Sequence, residues 1–272
     1  AGTTFYLLDV GTGLVHDSYD VGDDGGKNHL KNSLQADPTA TGPLDSPFVD
    51  QVYAGDTEGS LWRFDVSASG GSATLSIPFK TYDAQAAHPL YASLATVNVG
   101  GTTQRVFFGT GIDILPDQNK LESFKMIGLS VDRSAQTSGT VEFSYALARQ
   151  ASASGNEQTT SAPSLAGDVV FFSTTTSFPL DPCRCEESAL YAMTFDGDTA
   201  YLTGTGGDTA APAGSIEAIT TWDGRSTAPF VSDQHLYFGV NGDMRVLGDP
   251  EDFNNGVTSQ GVKITSWREI RR

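Results

Sequence analysis

Apolar and polar residues alternate with a period of two in short bursts along this chain, and glycine, aspartate or asparagine closes each burst. That is the pattern of β-strands joined by tight turns. The densest burst is Val52-Tyr53-Ala54-Gly55-Asp56-Thr57-Glu58-Gly59-Ser60-Leu61-Trp62-Arg63-Phe64-Asp65. One strand runs into Gly55-Asp56, an acidic turn follows, and a second strand carries Leu61, Trp62 and Phe64 as far as Asp65. Similar units start at Phe5-Tyr6-Leu7-Leu8-Asp9, before Gly11-Thr12-Gly13, and at Gln104-Arg105-Val106-Phe107-Phe108, before Gly109-Thr110-Gly111. Two more are Val169-Val170-Phe171-Phe172, before a Ser/Thr run, and His235-Leu236-Tyr237-Phe238-Gly239, before Asn241-Gly242-Asp243. Hairpins repeating every 45 to 65 residues or roughly so predict an all-β, β-propeller-like fold, with about five blades of four short antiparallel strands. A β-sandwich, also built from many short strands, is the alternative. Residues 1–272 read as one domain, and the best helical candidate is the short Asp83-Ala84-Gln85-Ala86-Ala87.

Composition narrows the setting. Of 272 residues 30 are Gly and 38% are hydrophobic, and no apolar run is long enough for a membrane-spanning helix. The formal net charge of −17 repels phosphate backbones and anionic lipid heads, which argues against nucleic-acid binding and membrane docking. No signal peptide is visible, so the chain is expected to be the C-terminal part of a longer protein or to follow a processed leader.

No catalytic constellation stands out. His16, His29, His88 and His235 are scattered, and none sits in a nucleophile or metal motif. Gly11-Thr12-Gly13 and Gly109-Thr110-Gly111 each follow a strand without a helix after it, so they read as β-turns and not as phosphate cradles. The two cysteines, Cys183 and Cys185, leave three readings: a strained local disulfide, two thiols, or half of a zinc site with no second half in view. Four oxygen-rich stretches suit calcium loosely, at residues 17–24, 45–50, 113–119 and 249–255, and none follows the D-x-[DN]-x-[DN]-G pattern.

Asp50-Gln51-Val52-Tyr53-Ala54-Gly55-Asp56, continued by Gly59, Trp62, Phe64 and Asp65, resembles the D-x-V-Y-A-G-D-x-x-G-x-L-W-R-F-D signature of the PilY-type proteins of bacterial type IV pili. Val106-Phe107-Phe108-Gly109-Thr110-Gly111, Asp181-Pro182-Cys183 and the closing Ser266-Trp267-Arg268-Glu269 are similar to further stretches of that family's C-terminal propeller, in the same order. The resemblance implies a non-enzymatic protein, exported through the periplasm to the pilus tip outside the cell. There it would support pilus assembly and extension and surface adhesion, with minor pilins or the tip complex, and a host or abiotic surface, as partners. It also implies calcium in a loop ending at Asp50. Here the loop's other ligand positions hold Gly42, Leu44 and Ser46, so Asp45 and Asp50 are the metal candidates that remain, with Asp37 reachable only across an insertion.

In this reading the propeller is a platform whose loop aromatics, such as Tyr82, Tyr91 and Trp222, either anchor a partner or pack between blades. Residues 262–267 are expected to form a last strand that pairs with an early one. Two other functions fit the pattern: a quinone-cofactor propeller dehydrogenase, whose bound cofactor would absorb visible light, and a structural subunit of a surface filament.

Overall fold

A computed structural model describes residues 2–22, 32–83, 88–112, 124–147, 156–178, 181, 183–197, 218–232 and 235–247. The described residues form five antiparallel sheets in sequence order. Sheet 1 is the hairpin of β1 (Thr4–Leu8) and β2 (Val15–Asp20). Sheet 2 contains β3 (Thr39–Thr41), β4 (Gln51–Gly55), β5 (Ser60–Ser69), β6 (Ser72–Leu75) and β7 (Phe79–Asp83). Sheet 3 is the meander β8 (Ala95–Gly100), β9 (Thr103–Gly109), β10 (Lys125–Asp132) and β11 (Thr140–Ala146). Sheet 4 holds β12 (Asn156–Gln158), β13 (Ser164–Ala166), β14 (Val169–Ser177), β15 (Glu187–Thr194) and β16 (Thr220–Asp223). Sheet 5 holds β17 (Phe230–Ser232), β18 (His235–Val240) and β19 (Asp243–Leu247).

Among the described residues the expected four-stranded blade appears plainly in sheet 3. In sheet 2 the long β5 serves twice: residues 60–63 pair with β7 and residues 66–69 with β6. In sheet 4 the first strand is broken, so β12 and β13 lie in turn along one side of β14. Among the described residues sheet 1 has two strands and sheet 5 has three.

What separates this arrangement from a sandwich is that the middle sheets bury both faces. Tyr53 of β4 faces sheet 3, in a cluster with Val106, Phe108 and Ile127, while its neighbours Val52 and Ala54 join Trp62, Phe64 and the half-buried Phe5 and Tyr19 of sheet 1. In β9, Phe107 turns the other way and packs with Val170, Phe172 and Tyr191 of sheet 4. From sheet 4, Phe171, Leu190 and Ala192 face Leu236, Phe238 and Val240 of sheet 5. Each of the middle sheets, 2 to 4, therefore stacks on the one before and the one after, as propeller blades do, and central strands such as β4, β9, β14 and β15 are buried along most of their length because neither face meets water.

The Ser/Thr run after Phe172 continues the strand as the second half of β14, paired on both sides. Its β-branched threonines suit a pleated strand, and Ser173 and Thr174 bond to the Thr227 carbonyl and the Glu157 carboxylate at 2.9 and 2.6 Å. One local expectation changes: Gly109-Thr110-Gly111 is no hairpin turn. Gly109 ends β9 opposite Met126, and a Cβ on Gly109 or Gly111 would collide with Thr159, so these glycines admit the approach of sheet 4. Gly11-Thr12-Gly13 does form the β1–β2 turn, with Gly13 at φ 74° and both Thr12 N–H and hydroxyl donating to Asp9. Of the helical candidate, Asp83 ends β7 and residues 84–87 lie outside the described residues, as does the expected last strand at residues 262–267.

Candidate functional site

The Tyr53 to Asp65 signature folds as a hairpin locked from inside. Asp56 is fully buried. Its Oδ1 accepts from the Glu58 and Ser60 backbone N–H groups at 2.9 and 2.8 Å, and its Oδ2 accepts from the Trp62 indole N–H at 2.8 Å. Gly59 takes φ 84°, where a side chain is strained, and a Cβ on Gly55 would run into Leu90. Phe64 stacks on Phe5 at 4.4 Å, and the Tyr53 hydroxyl donates to Gln104 Oε1 at 2.9 Å across to sheet 3. Burial pushes the Tyr53 phenol up to about 12, while the positive charges of Arg63 and Arg133 pull the other way. These residues build the fold, and their chemistry is spent within it.

Beside this hairpin lies the loop at residues 42–50. Asp50 is in contact with the Arg133 guanidinium, whose other nitrogen lies 3.4 Å from Thr41 Oγ1 and from Asn98 Oδ1. Arg63, almost wholly buried, grips Asp65 at 2.7 Å and donates to the carbonyls of Asp132, Arg133 and Ala135 at 2.8 to 3.0 Å. Gln51 adds a bond to the Arg133 carbonyl at 2.9 Å. Two arginines thus tie sheet 2 to the turn that follows β10.

This loop does not fit a calcium ion. A guanidinium already meets the Asp50 carboxylate, Asp45 and Asp37 are exposed, and no group of three His, Cys, Asp or Glu side chains converges among the described residues. Of the other acidic stretches, Asp20 accepts from Thr3 and from the Gly22 N–H, and residues 23–24, 113–119 and 249–255 lie outside the described residues.

The same loop carries an exposed apolar tip that sequence reasoning missed: Leu44, Val49 and above all Phe48, 76% exposed. It is held from behind. Asn98 donates to the Gly42 carbonyl at 2.8 Å, Asp50 N–H to the Thr41 carbonyl at 3.1 Å, and Phe48 N–H to Ser46 Oγ at 3.1 Å. A Cβ on Gly42 would strike the Phe48 carbonyl. The signal available in the sequence was an aromatic between prolines and aspartates, with no alternating partner. Of the aromatics expected at loop edges, Tyr82 lies edge-on to Phe108 at 5.7 Å and Trp222 over Phe238 at 4.5 Å, so both pack between sheets, and Tyr91 is half-buried.

Elsewhere, Cys183 and Cys185 are exposed and unbridged. The intervening Arg184 is turned onto the Phe178 ring at 3.7 Å. His16 stands 3.6 Å from Asp9, His235 is tilted against Tyr237, His88 has a buried Nδ1 without a partner, and His29 lies outside the described residues. No two of the described histidines share a site. An open cleft of about 550 Å³ between sheets 4 and 5 is lined by Trp222, Asp223, Asn241, Asp243 and Arg245 among others.

No family profile and no curated protein matches the sequence. Among solved structures the fold is similar to the C-terminal domain of PilY1 from Pseudomonas aeruginosa, with a TM-score of 0.61 and 15% identity. The match covers 91% of this chain and 66% of that domain, so the chain spans a little under two thirds of its length. BamB from Moraxella catarrhalis also matches, with a TM-score of 0.40 and 11% identity over 92% of this chain and 65% of that one. The fold is that of a β-propeller.

Proposed function

We propose that this chain is a non-enzymatic, extracellular protein of the type IV pilus tip, reached through the periplasm, whose stacked sheets form a rigid platform for pilus assembly and surface attachment. One observation carries the reading: the likeness of fold to the PilY1 C-terminal domain along 91% of the chain. The contact we assign to a protein partner, a minor pilin or the tip complex, is the loop tip of Leu44, Phe48 and Val49. A large aromatic on a loop already fixed in place loses little freedom on binding, and such residues dominate interface energy. The net charge of −17 favours a partner with a basic rim.

The test is genetic and then local. Deleting the gene from its host is expected to lower surface piliation and attachment, both restored by the wild-type protein. Complementation with Phe48→Ser is expected to leave the protein folded, by circular dichroism, and to restore attachment poorly. Unchanged piliation and attachment in the deletion strain would overturn the reading, whereas full rescue by Phe48→Ser would overturn only the assignment of the loop.

A further inference from the structure

The second half of β14 is a polar stretch inside an apolar core. Ser173, Thr174, Thr175, Thr176 and Ser177 are all buried, and so are Asn156, Glu157 and Gln158 of β12 beside them. Asn156 stands opposite Ser177, Glu157 opposite Thr176 and Gln158 opposite Thr175. Successive residues of a strand point to opposite faces. Glu157, Thr174 and Thr176 therefore share the face on which Phe172 and Tyr191 meet sheet 3.

On that face Glu157 is a buried carboxylate without a counter-charge. Its Oε1 accepts from the Thr174 and Tyr191 hydroxyls, both at 2.6 Å. Its Oε2 is out of reach of water and has no hydrogen-bond partner in the protein, and no Lys, Arg or His among the described residues forms an ion pair with it. Directly opposite, Thr176 Oγ1 is also buried and without a partner. The next carboxylate in the same cross-strand row, Glu187, is met by Arg184 at 2.6 Å. Proteins pair a buried charge or give it a metal ion, and an orphaned buried oxygen marks where a water or an ion binds. We infer that Glu157 Oε2 and Thr176 Oγ1 hold a monovalent alkali cation, sodium or potassium, inside sheet 4.

The donors decide the class of ion. A carboxylate and a hydroxyl are hard oxygens, which suit alkali and alkaline-earth cations over thiophilic metals. One negative charge lacks a partner here, and one positive charge balances it. Calcium draws its oxygens from several acidic side chains, and no group of three such ligands converges among the described residues. A water could join the same two oxygens, but it would leave the charge unmet. The ion also has a structural task. β12 pairs with β14 through three residues only, and beside it Ile112 N–H donates to Gln158 Oε1 at 2.7 Å and Thr159 N–H to the Thr110 carbonyl at 3.2 Å. A cation shared by β12 and β14 therefore fastens the short strand through which sheet 4 is tied to sheet 3.

Thermal unfolding of the full chain tests this at one ionic strength, in the chlorides of sodium, potassium and N-methyl-D-glucamine, the last a cation too bulky to enter the core. Screening of the acidic surface is the same in all three. The wild type is expected to melt higher in sodium or potassium, by an increment that saturates with concentration. Glu157→Gln, of the same shape and uncharged, is expected to melt alike in the three salts. Thr176→Val, which removes one ligand oxygen and keeps the volume, is expected to raise the half-saturating concentration severalfold, and it decides the matter if Glu157→Gln fails to fold. Rubidium soaked into crystals of the wild type is expected to give an anomalous peak bonded to Glu157 Oε2. Equal melting of the wild type in the three salts overturns the inference and leaves a buried water as the occupant. An alkali increment that survives intact in Glu157→Gln, or an unchanged half-saturation in Thr176→Val, overturns it as well.

Discussion

Asp56 shows how one side chain sets the geometry of a whole turn. Its fully buried carboxylate satisfies two backbone N–H groups and an indole N–H, those of Ser60 and Trp62 out of contact with water. Asp56→Ala would leave those donors unpaired and is expected to cost about 3 kcal/mol, read from urea unfolding followed by circular dichroism. A loss below about 1 kcal/mol would mean that water replaces the carboxylate. Asp17 makes a second, titratable link. It accepts from Leu75 N–H and Ser18 N–H at 2.8 Å each, and these bonds hold its carboxyl below the ordinary 3.8. As pH falls the unfolded chain takes up this proton before the folded one does. The stabilisation is therefore complete above the ordinary value and fades as pH drops through the lowered one. Asp17→Asn is expected to flatten the fall of the urea midpoint as pH drops below the ordinary 3.8, and an unchanged slope would place the acid sensitivity elsewhere. The sequence marked Asp56 and Trp62 as belonging to one pattern, because turn residues and strand periodicity are local. It could not show that they bond to each other, nor that Arg133, far along the chain, meets Asp50.

At the scale of elements, the arginines of sheets 2 and 3 make a graded prediction. Arg63 is almost fully buried and serves three carbonyls of the turn after β10 as well as Asp65. Arg133 bonds to an Asp50 side chain that is 44% exposed. Arg63→Met takes the guanidinium from the half-buried Asp65 carboxylate and from three carbonyls, of which that of Arg133 keeps its bond from Gln51, and is expected to cost about 3 kcal/mol. Arg133→Met loses a solvent-screened pair and is expected to cost about 1 kcal/mol. Thermal unfolding of the two variants checks the order, and equal losses would show that the lock does not depend on burial. Much at this scale was legible in the chain. The five predicted hairpin starts all fall on strands, since alternation and glycine turns are local signals. What stayed hidden came from contacts between sheets: the break between β12 and β13, the β6 branch from β5, and glycines 109 and 111, which look like turn residues but mark where Thr159 comes close. The exposed Phe48 was missed for the complementary reason, that periodicity finds what is buried.

For the molecule as a whole, a charge of −17 means that cations stabilise it in two separable ways. Any salt screens the mutual repulsion of the acidic surface, and a divalent ion does so more strongly than sodium at equal concentration. A bound calcium ion would add a term that magnesium does not match, because calcium tolerates larger, irregular oxygen cages. Since Arg133 already neutralises Asp50, the loop at residues 42–50 should contribute only to the first term. The rise in melting temperature between metal-free buffer and calcium is therefore expected to be the same in the wild type and in Asp50→Ala, whatever its size, although the variant melts lower throughout. Calcium bound by acidic stretches elsewhere in the chain would raise both proteins alike, so it does not disturb the comparison. If the calcium-specific increment over magnesium disappears in Asp50→Ala, the arginine gives way to the ion, and the loop that presents Phe48 is under calcium control.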